Sequence, residues 1–297
     1  MADPGSQVVI LVGLKGTATH PLSPLNLFRS LCLSVHRVTF ATLLKTTRGA
    51  VFNHFSSYHT SSSLVKSGWG LSAHEWSFIQ KARLDRAPLP HRAHPGIPPT
   101  PCGRCGLFLE NIDHVLALCN CTTDLVNQRH DVFLWRLVRF LVASLHLPFD
   151  EHSRIESLIP AKQLVCNIKP SRQLYVNSTV PYLKDFKRPD LLFLDHQHKI
   201  AFIIDVRIVS EHLDCSFHLA RSEKIENYTE LAGVLTRRGY KVTLDAFLVG
   251  AFGSFDPMNL HFLKLLNIPQ HQLELFIRFI CSQVTTFACD IYHQYIL

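Results

Sequence analysis

The sequence lacks any uninterrupted run of the roughly 18 apolar residues that a membrane-crossing helix needs. Residues 132–147 come closest, and Arg136 and Arg139 interrupt them. It also lacks a recognisable secretory signal, because the apolar run Val8–Leu14 is short and has no basic flank before it. No internal repeat is visible. Acidic residues are in deficit: 23 Asp and Glu face 30 Lys and Arg, for a formal net charge of +7 and a sequence pI near 9.0. These shortages argue against a membrane partner and favour a polyanionic one such as nucleic acid. Hydrophobic residues are not scarce. At 47% they exclude a disordered tail and allow a sizeable core in 297 residues. The nine cysteines are odd in number and unevenly spaced. That pattern suits a reducing compartment, where clustered cysteines point to metal rather than disulfide.

Residues 1–25 are rich in Gly, Pro and Ser and predict no structure. Leu27–Leu44 has helical apolar spacing with Arg29, His36 and Arg37 on it, and residues 46–71 read as a polar loop or linker. Ser72 and Glu75 form a capping box that starts a helix over Ala73–Arg86, with Trp76, Phe78, Ile79 and Leu84 as its apolar residues. Six prolines in residues 88–101 predict a semi-extended connector. Leu125–Leu147 is expected as a long helix with Val132, Trp135, Leu137, Val138, Leu141 and Leu145 as its core stripe. Pro148 ends it. From 161 onward short strands alternate with helices: strands near 162–168, 173–177 and 241–249, a helix over 217–238 stopped by Gly239, and two terminal helices over 256–267 and 270–295. This is an α/β arrangement. The expected division is 1–71, a poorly defined segment with one basic helix; 72–150, a helical linker; and 160–297, the α/β domain.

Two constellations carry chemistry. In the first, Cys102-Gly-Arg-Cys105 is followed after eight residues by His114 and after four more by Cys119. Thiolates and imidazole at this spacing suit a tetrahedral Zn²⁺, and four protein ligands make such a site structural or nucleic-acid-binding rather than hydrolytic. Cys121 is a spare with a poorer offset. The second is an expected hairpin. Asp190 opens its first strand, Asp205 lies inside the apolar second strand, and 14 residues between them allow the two to stand side by side. A carboxylate in an apolar run is costly unless a cation or hydrogen bond compensates. Two aspartates can hold Mg²⁺ for phosphodiester hydrolysis, with a nearby basic residue steadying the transition state. Lys224, on the following helix, is preferred over Arg207 because arginine does not give up its proton. Tyr228, one turn on, either orients the lysine or water or is a core aromatic. Arg104, Arg129, His130, Arg136, Arg139 and Arg188 are candidates for phosphate contact, against the plainer reading of a solvated basic face.

In order, the Cys102/Cys105/His114/Cys119 motif, Arg129-His130, Arg188-Pro189-Asp190, Asp205, and Lys224 with Tyr228 resemble one family. It is the C-terminal region of site-specific non-LTR retrotransposon proteins that carry a restriction-like endonuclease. Trp76 and the Arg83-Leu84…Leu89-Pro90 segment resemble the stretch before the family's zinc knuckle, and the likeness covers roughly residues 45–255. The resemblance implies a helical linker with a CCHC zinc knuckle followed by a PD-(D/E)xK restriction-like endonuclease domain, a mixed sheet flanked by helices. It implies structural Zn²⁺ and catalytic Mg²⁺. It further implies nicking of target DNA to prime reverse transcription of an element RNA, and hence a nuclear location. The family's polymerase carries an Asp-Asp dipeptide, which this sequence does not contain. The chain therefore reads as a fragment without the reverse transcriptase, either an endonuclease module or an inactive nucleic-acid-binding remnant.

Overall fold

The computed structural model describes residues 24–46, 49–90, 100–144, 164–169, 171–178, 186–266 and 268–297. The run Val8–Leu14, most of the proline-rich connector, Leu145 and the expected boundary at 150–160 lie outside them. The chain forms two compact units, residues 1–46 and 47–297. In the first, helix α1 (Pro24–Leu44) carries the expected Arg29, His36 and Arg37. It is not one-sided: Leu25, Phe28, Leu31, Leu33, Val35, Val38 and Phe40 are all exposed.

In the second unit, a five-stranded sheet runs in the order β1 (Leu164–Lys169), β2 (Arg172–Val176), β3 (Leu191–Asp195), β4 (Ile200–Val209), β5 (Lys241–Gly250). The first three pairings are antiparallel and β4–β5 is parallel, so the sheet is mixed. The polar tip between β3 and β4 turns on Asp195. Its carboxylate accepts from the backbone N–H groups of Gln197 (3.0 Å) and His198 (2.9 Å) and pairs with Arg172 at 2.7 Å. The parallel β4–β5 pair needs a crossover, supplied by helix α7 (Ser216–Arg237). Gly239, at φ 85°, takes the left-handed turn that ends α7, as the sequence predicts.

Strand alternation sorts the core into two faces. Leu192, Leu194, Ala201 and Ile203 pack with Tyr228, Leu231 and Leu235 of α7. Leu191, Ile204, Val206 and Phe247 point the other way. They pack against α6 (Thr123–Ser144), α8 (Asn259–Leu265) and α9 (Gln270–Ile296). A third cluster joins α2 (Gly49–Ser56), α4 (Ala73–Arg83) and α5 (Ile112–Ala117) to the C-terminal half of α9.

Several expectations are corrected. Residues 46–71 hold two helices, α2 and α3 (His59–Ser67), rather than a loop. Val51, Phe55 and Leu64 are buried, and that burial overrides the weak helix propensity of their Ser- and Thr-rich surroundings. The capping box at Ser72 and Glu75 is present, but α4 ends at Arg83, and Trp76 and Leu84 are exposed. Along α6, Val132 is only half-buried, while Phe133, Leu134 and Val142 are buried. Among the described residues α9, not 132–147, is long and apolar enough to cross a membrane, yet 61% of that window is buried inside the protein. The residues expected as a separate linker and α/β domain belong to one unit, because α9 packs on α4, α5 and α6 as well as under the sheet.

Candidate functional site

The β3–β4 register pairs Leu191 with Ile204 and closes at Asp195–Ile200. Extended by one position, it sets Asp190 opposite Asp205. Asp205 shares its strand face with Ala201 and Ile203, the face covered by α7. Lys224 and Tyr228, one helical turn apart on α7, therefore reach it. Lys224 Nζ stands 2.5 Å from Asp205 Oδ2, and the Tyr228 hydroxyl donates to Asp205 Oδ1 at 2.7 Å. That hydroxyl also lies 3.1 Å from the carbonyl oxygen of Arg188, so its single proton has two acceptors. Asp190 accepts from the backbone N–H of Val206 at 2.7 Å, which fixes its carboxylate at the end of the hairpin. All four residues expected to form a site are brought together.

The electrostatics are those of crowded acids. Asp205 is 2% exposed, and burial first, then the charge of Asp190, hold its carboxyl above the ordinary aspartate range in spite of Lys224 and Tyr228. Burial and the negative charge of Asp205 likewise push the Tyr228 hydroxyl well up, so it stays a donor. His130, on the first turns of α6, places Nε2 at 3.4 Å from Asp190 Oδ2 and Nδ1 at 3.2 Å from Asp131. Burial opposes its charge, but the two carboxylates outweigh burial and raise its pKa to about 9. Each aspartate thus has a cationic neighbour, Asp190 from α6 and Asp205 from α7. Arg207, the alternative to Lys224, pairs instead with the exposed Glu223.

Cys102, Cys105, His114 and Cys119 gather so that one donor atom from each lies within 4.8 Å of the others. The Sγ atoms of Cys102 and Cys119 are 3.9 Å apart, and Cys105 Sγ is 3.3 Å from His114 Nε2. Local structure explains the gathering. Gly106, at φ 68°, turns the chain after Cys105, and its N–H returns to the Cys102 carbonyl at 2.7 Å. The Asn111 side chain caps α5 by accepting from the His114 N–H at 2.8 Å. Cys102, Cys119 and His114 are buried, so the donors sit inside the protein rather than on a free finger. Burial opposes ionisation of Cys102, but hydrogen bonds from Tyr295 and from the Cys105 and Arg104 backbone outweigh it and bring the thiol to about 6. This set fits a metal ion. Cys121 is exposed, with its Sγ 3.0 Å from that of Cys119.

No protein-family model matches the chain, and no curated protein matches it.

The expected phosphate-binding residues divide. Arg104, Arg139 and Arg188 are exposed, and Arg136 lies over the Phe279 ring at 5.1 Å. Arg129 is corrected: it is 2% exposed and donates to the Leu116 carbonyl at 2.8 Å, out of reach of a phosphate. It belongs to a buried charge group with Arg83 and Glu211. Arg83 donates to the Phe252 carbonyl and covers the Phe55 ring. Glu211 accepts from Phe252 N at 2.6 Å, and Arg83 and Arg129 act on it through their charge. The pairing of His130 with Asp190 is the part of the site that sequence reasoning missed. The local signal was a histidine next to an arginine early in a helix.

Proposed function

We propose that the chain is a metal-dependent DNA endonuclease module of the restriction-like type, with a zinc-holding knuckle in its linker. The convergence of Asp190, Asp205, Lys224 and Tyr228 at one end of a mixed sheet carries this reading. Their order in the sequence predicts the same grouping. Asp190 and Asp205 would hold Mg²⁺. Two adjacent carboxylates, one held above its ordinary range by burial and then by its neighbour's charge, are a donor set that a hard divalent cation relieves. The ion would lower the pKa of a bound water and neutralise charge on the scissile phosphate. Lys224, held against Asp205, places a positive charge where the phosphorane develops. Tyr228 fixes the carboxylate that orients both. The water oxygen bonds to phosphorus and gives a proton to solvent as the P–O3′ bond breaks, leaving a 5′-phosphate on one end and a 3′ oxygen that takes a proton from water on the other. Cys102, Cys105, His114 and Cys119 would hold Zn²⁺, whose soft thiolate and imidazole donors they supply. The resemblance to retrotransposon endonucleases implies target DNA as the substrate, a nuclear setting, and element RNA as a partner of the full-length protein.

Conversion of supercoiled plasmid to open circles in Mg²⁺ tests this. The wild-type chain nicks on its target sequence, and Asp190→Ala and Asp205→Ala lose nicking while retaining DNA binding. A second reading, a nucleic-acid-binding remnant, is favoured by His130 and Lys224, which already supply cations to both carboxylates. It predicts salt-sensitive binding with no nicking by any variant.

A further inference from the structure

A second group of metal donors lies away from the acidic hairpin and from the knuckle. His74 on the first turn of α4 and Cys289 and His293 on α9 each bring one donor atom within 4.8 Å of the others. Cys289 and His293 are four apart and share a helix face. The imidazole Nε2 atoms of His74 and His293 are 2.9 Å apart, with the rings stacked at 4.8 Å and 19°. Cys289 Sγ is 3.8 Å from His293 Nδ1. In a tetrahedral zinc site the N···N and N···S separations are about 3.3 and 3.6 Å. The two contacts use opposite nitrogens of His293, and an ion takes only one of them. With one donor atom from each residue within 4.8 Å of the others, side-chain rotations that draw the donors in by about 1–1.5 Å would close the group on one ion.

We propose that His74, Cys289 and His293 form a second binding site for a late transition-metal dication of the Zn²⁺ class, with its fourth position open to solvent. The chemistry of the donors selects that class: two imidazoles and one thiol exclude Mg²⁺ and Ca²⁺, which take oxygen. The burial pattern sets the open position. Cys289 lies beneath at 2% exposure, His293 is half-buried and His74 is exposed, so an ion there faces water on one side. Glu75 does not complete the set, since its carboxylate is committed to the Ser72 N–H at 2.6 Å. Glu75 and Asp290 do add negative charge around the thiol. His293 also lies in the last turn of α9, where the helix dipole favours a cation. Bound metal would tie two helices whose donors are 219 residues apart in sequence. The tie would sit in the same stretch of α9 that holds Tyr292 on the Pro88 carbonyl and Tyr295 on Cys102.

The test is metal counting on the full chain, purified with Zn²⁺ and desalted, by elemental analysis. His74→Ala and His293→Ala leave the knuckle and hairpin untouched, and His74 is exposed, so its variant folds. Circular dichroism confirms this for both. Each variant is expected to lose one zinc equivalent per chain relative to wild type. Wild type at two and variants at one supports both zinc sites. Wild type at one and variants at none supports this site and removes zinc from the knuckle. An unchanged count in both variants overturns the proposal. Titration with Co²⁺ gives an independent reading: Cys289→Ser should remove one thiolate-to-cobalt charge-transfer contribution, and an unchanged spectrum also overturns it.

Discussion

The two partners of one ion pair should respond to substitution with opposite signs. Lys224→Met removes the cation 2.5 Å from Asp205 Oδ2 and leaves a carboxylate with 3% side-chain exposure served only by Tyr228. Stranding a buried charge this way costs about 3–5 kcal/mol. The lysine side chain is 24% exposed, which puts the expected loss at the low end, about 3 kcal/mol. For a chain of this size that lowers the melting temperature by about 6–12 °C. Asp205→Asn removes the charge itself. Burial and Asp190 already hold this carboxyl above its ordinary range, so its ionised form works against the fold, and asparagine still offers an oxygen to Tyr228. Asp205→Asn should therefore leave stability unchanged or raise it by up to about 1 kcal/mol. In the double variant most of the lysine loss should disappear. Urea denaturation followed by tryptophan fluorescence, without added magnesium, measures all four corners of the cycle. Magnesium at ten times its Kd should then stabilise wild type by about 1.4 kcal/mol and leave Asp205→Asn unmoved. If Asp205→Asn is instead as damaging as Lys224→Met, Asp205 is an architectural ion-pair partner and the metal reasoning fails.

Cys102→Ser should abolish metal binding at the knuckle and destabilise the protein by about 5 kcal/mol, less than the full binding energy of an isolated zinc finger because the surrounding core persists. Elemental analysis and thermal melting check it, and limited proteolysis should find new cleavage near residues 100–119. Glu211, fully buried, is raised from 4.5 to about 7, first by burial. A raised carboxyl stabilises the fold most below pH 4.5 and loses that contribution as pH rises through about 7. Relative to Glu211→Gln, wild type should therefore lose about 3 kcal/mol between pH 4.5 and 7 in denaturant titrations. A constant difference across that window would show that Glu211 is ionised throughout.

The hairpin, its two acids and the helix that answers them were legible because the information is local. A polar tip fixes the turn, alternation fixes the faces, and one helical turn separates Lys224 from Tyr228. The gathering of Cys102, Cys105, His114 and Cys119 was legible for the same reason, since the four donors lie within 18 residues and local turns bring them together. The helices at 49–67 were not legible, because what makes them helical is burial of Val51, Phe55 and Leu64 against distant parts of the chain. Arg129 reads as a phosphate contact or part of a solvated basic face, and nothing in the local sequence marks Arg83 or Glu211 as buried. Their burial depends on partners as far as 169 residues away, such as the Phe252 carbonyl that Arg83 holds. His130 reads as a candidate for phosphate contact, and nothing in its neighbourhood along the sequence points to Asp190, a carboxylate 60 positions later that its Nε2 approaches at 3.4 Å.

The link between knuckle and hairpin explains why linker and α/β region form one unit. Cys102 and Cys119 pack in the cluster with Tyr292 and Tyr295 of α9, and Tyr295 lies 3.1 Å from Cys102 Sγ. Helix α6 begins immediately after the knuckle and is pinned to it by the bond from Arg129 to Leu116. The next residue, His130, stands on Asp190. The cation beside one aspartate is thus delivered by the linker and the cation beside the other by α7. A buried arginine and one step along a helix connect the Cys/His cluster to the hairpin, and Ser210, just after β4, adds a second connection by donating to Asp113 of α5 at 2.8 Å. Separating the two regions at 150–160 would strip Asp190 of its positive neighbour and expose the face of α9 that the linker covers. The acidic hairpin, read alone, holds two carboxylates answered by a lysine on the next helix; in the folded chain His130, from the helix that follows the Cys/His cluster, completes its electrostatics.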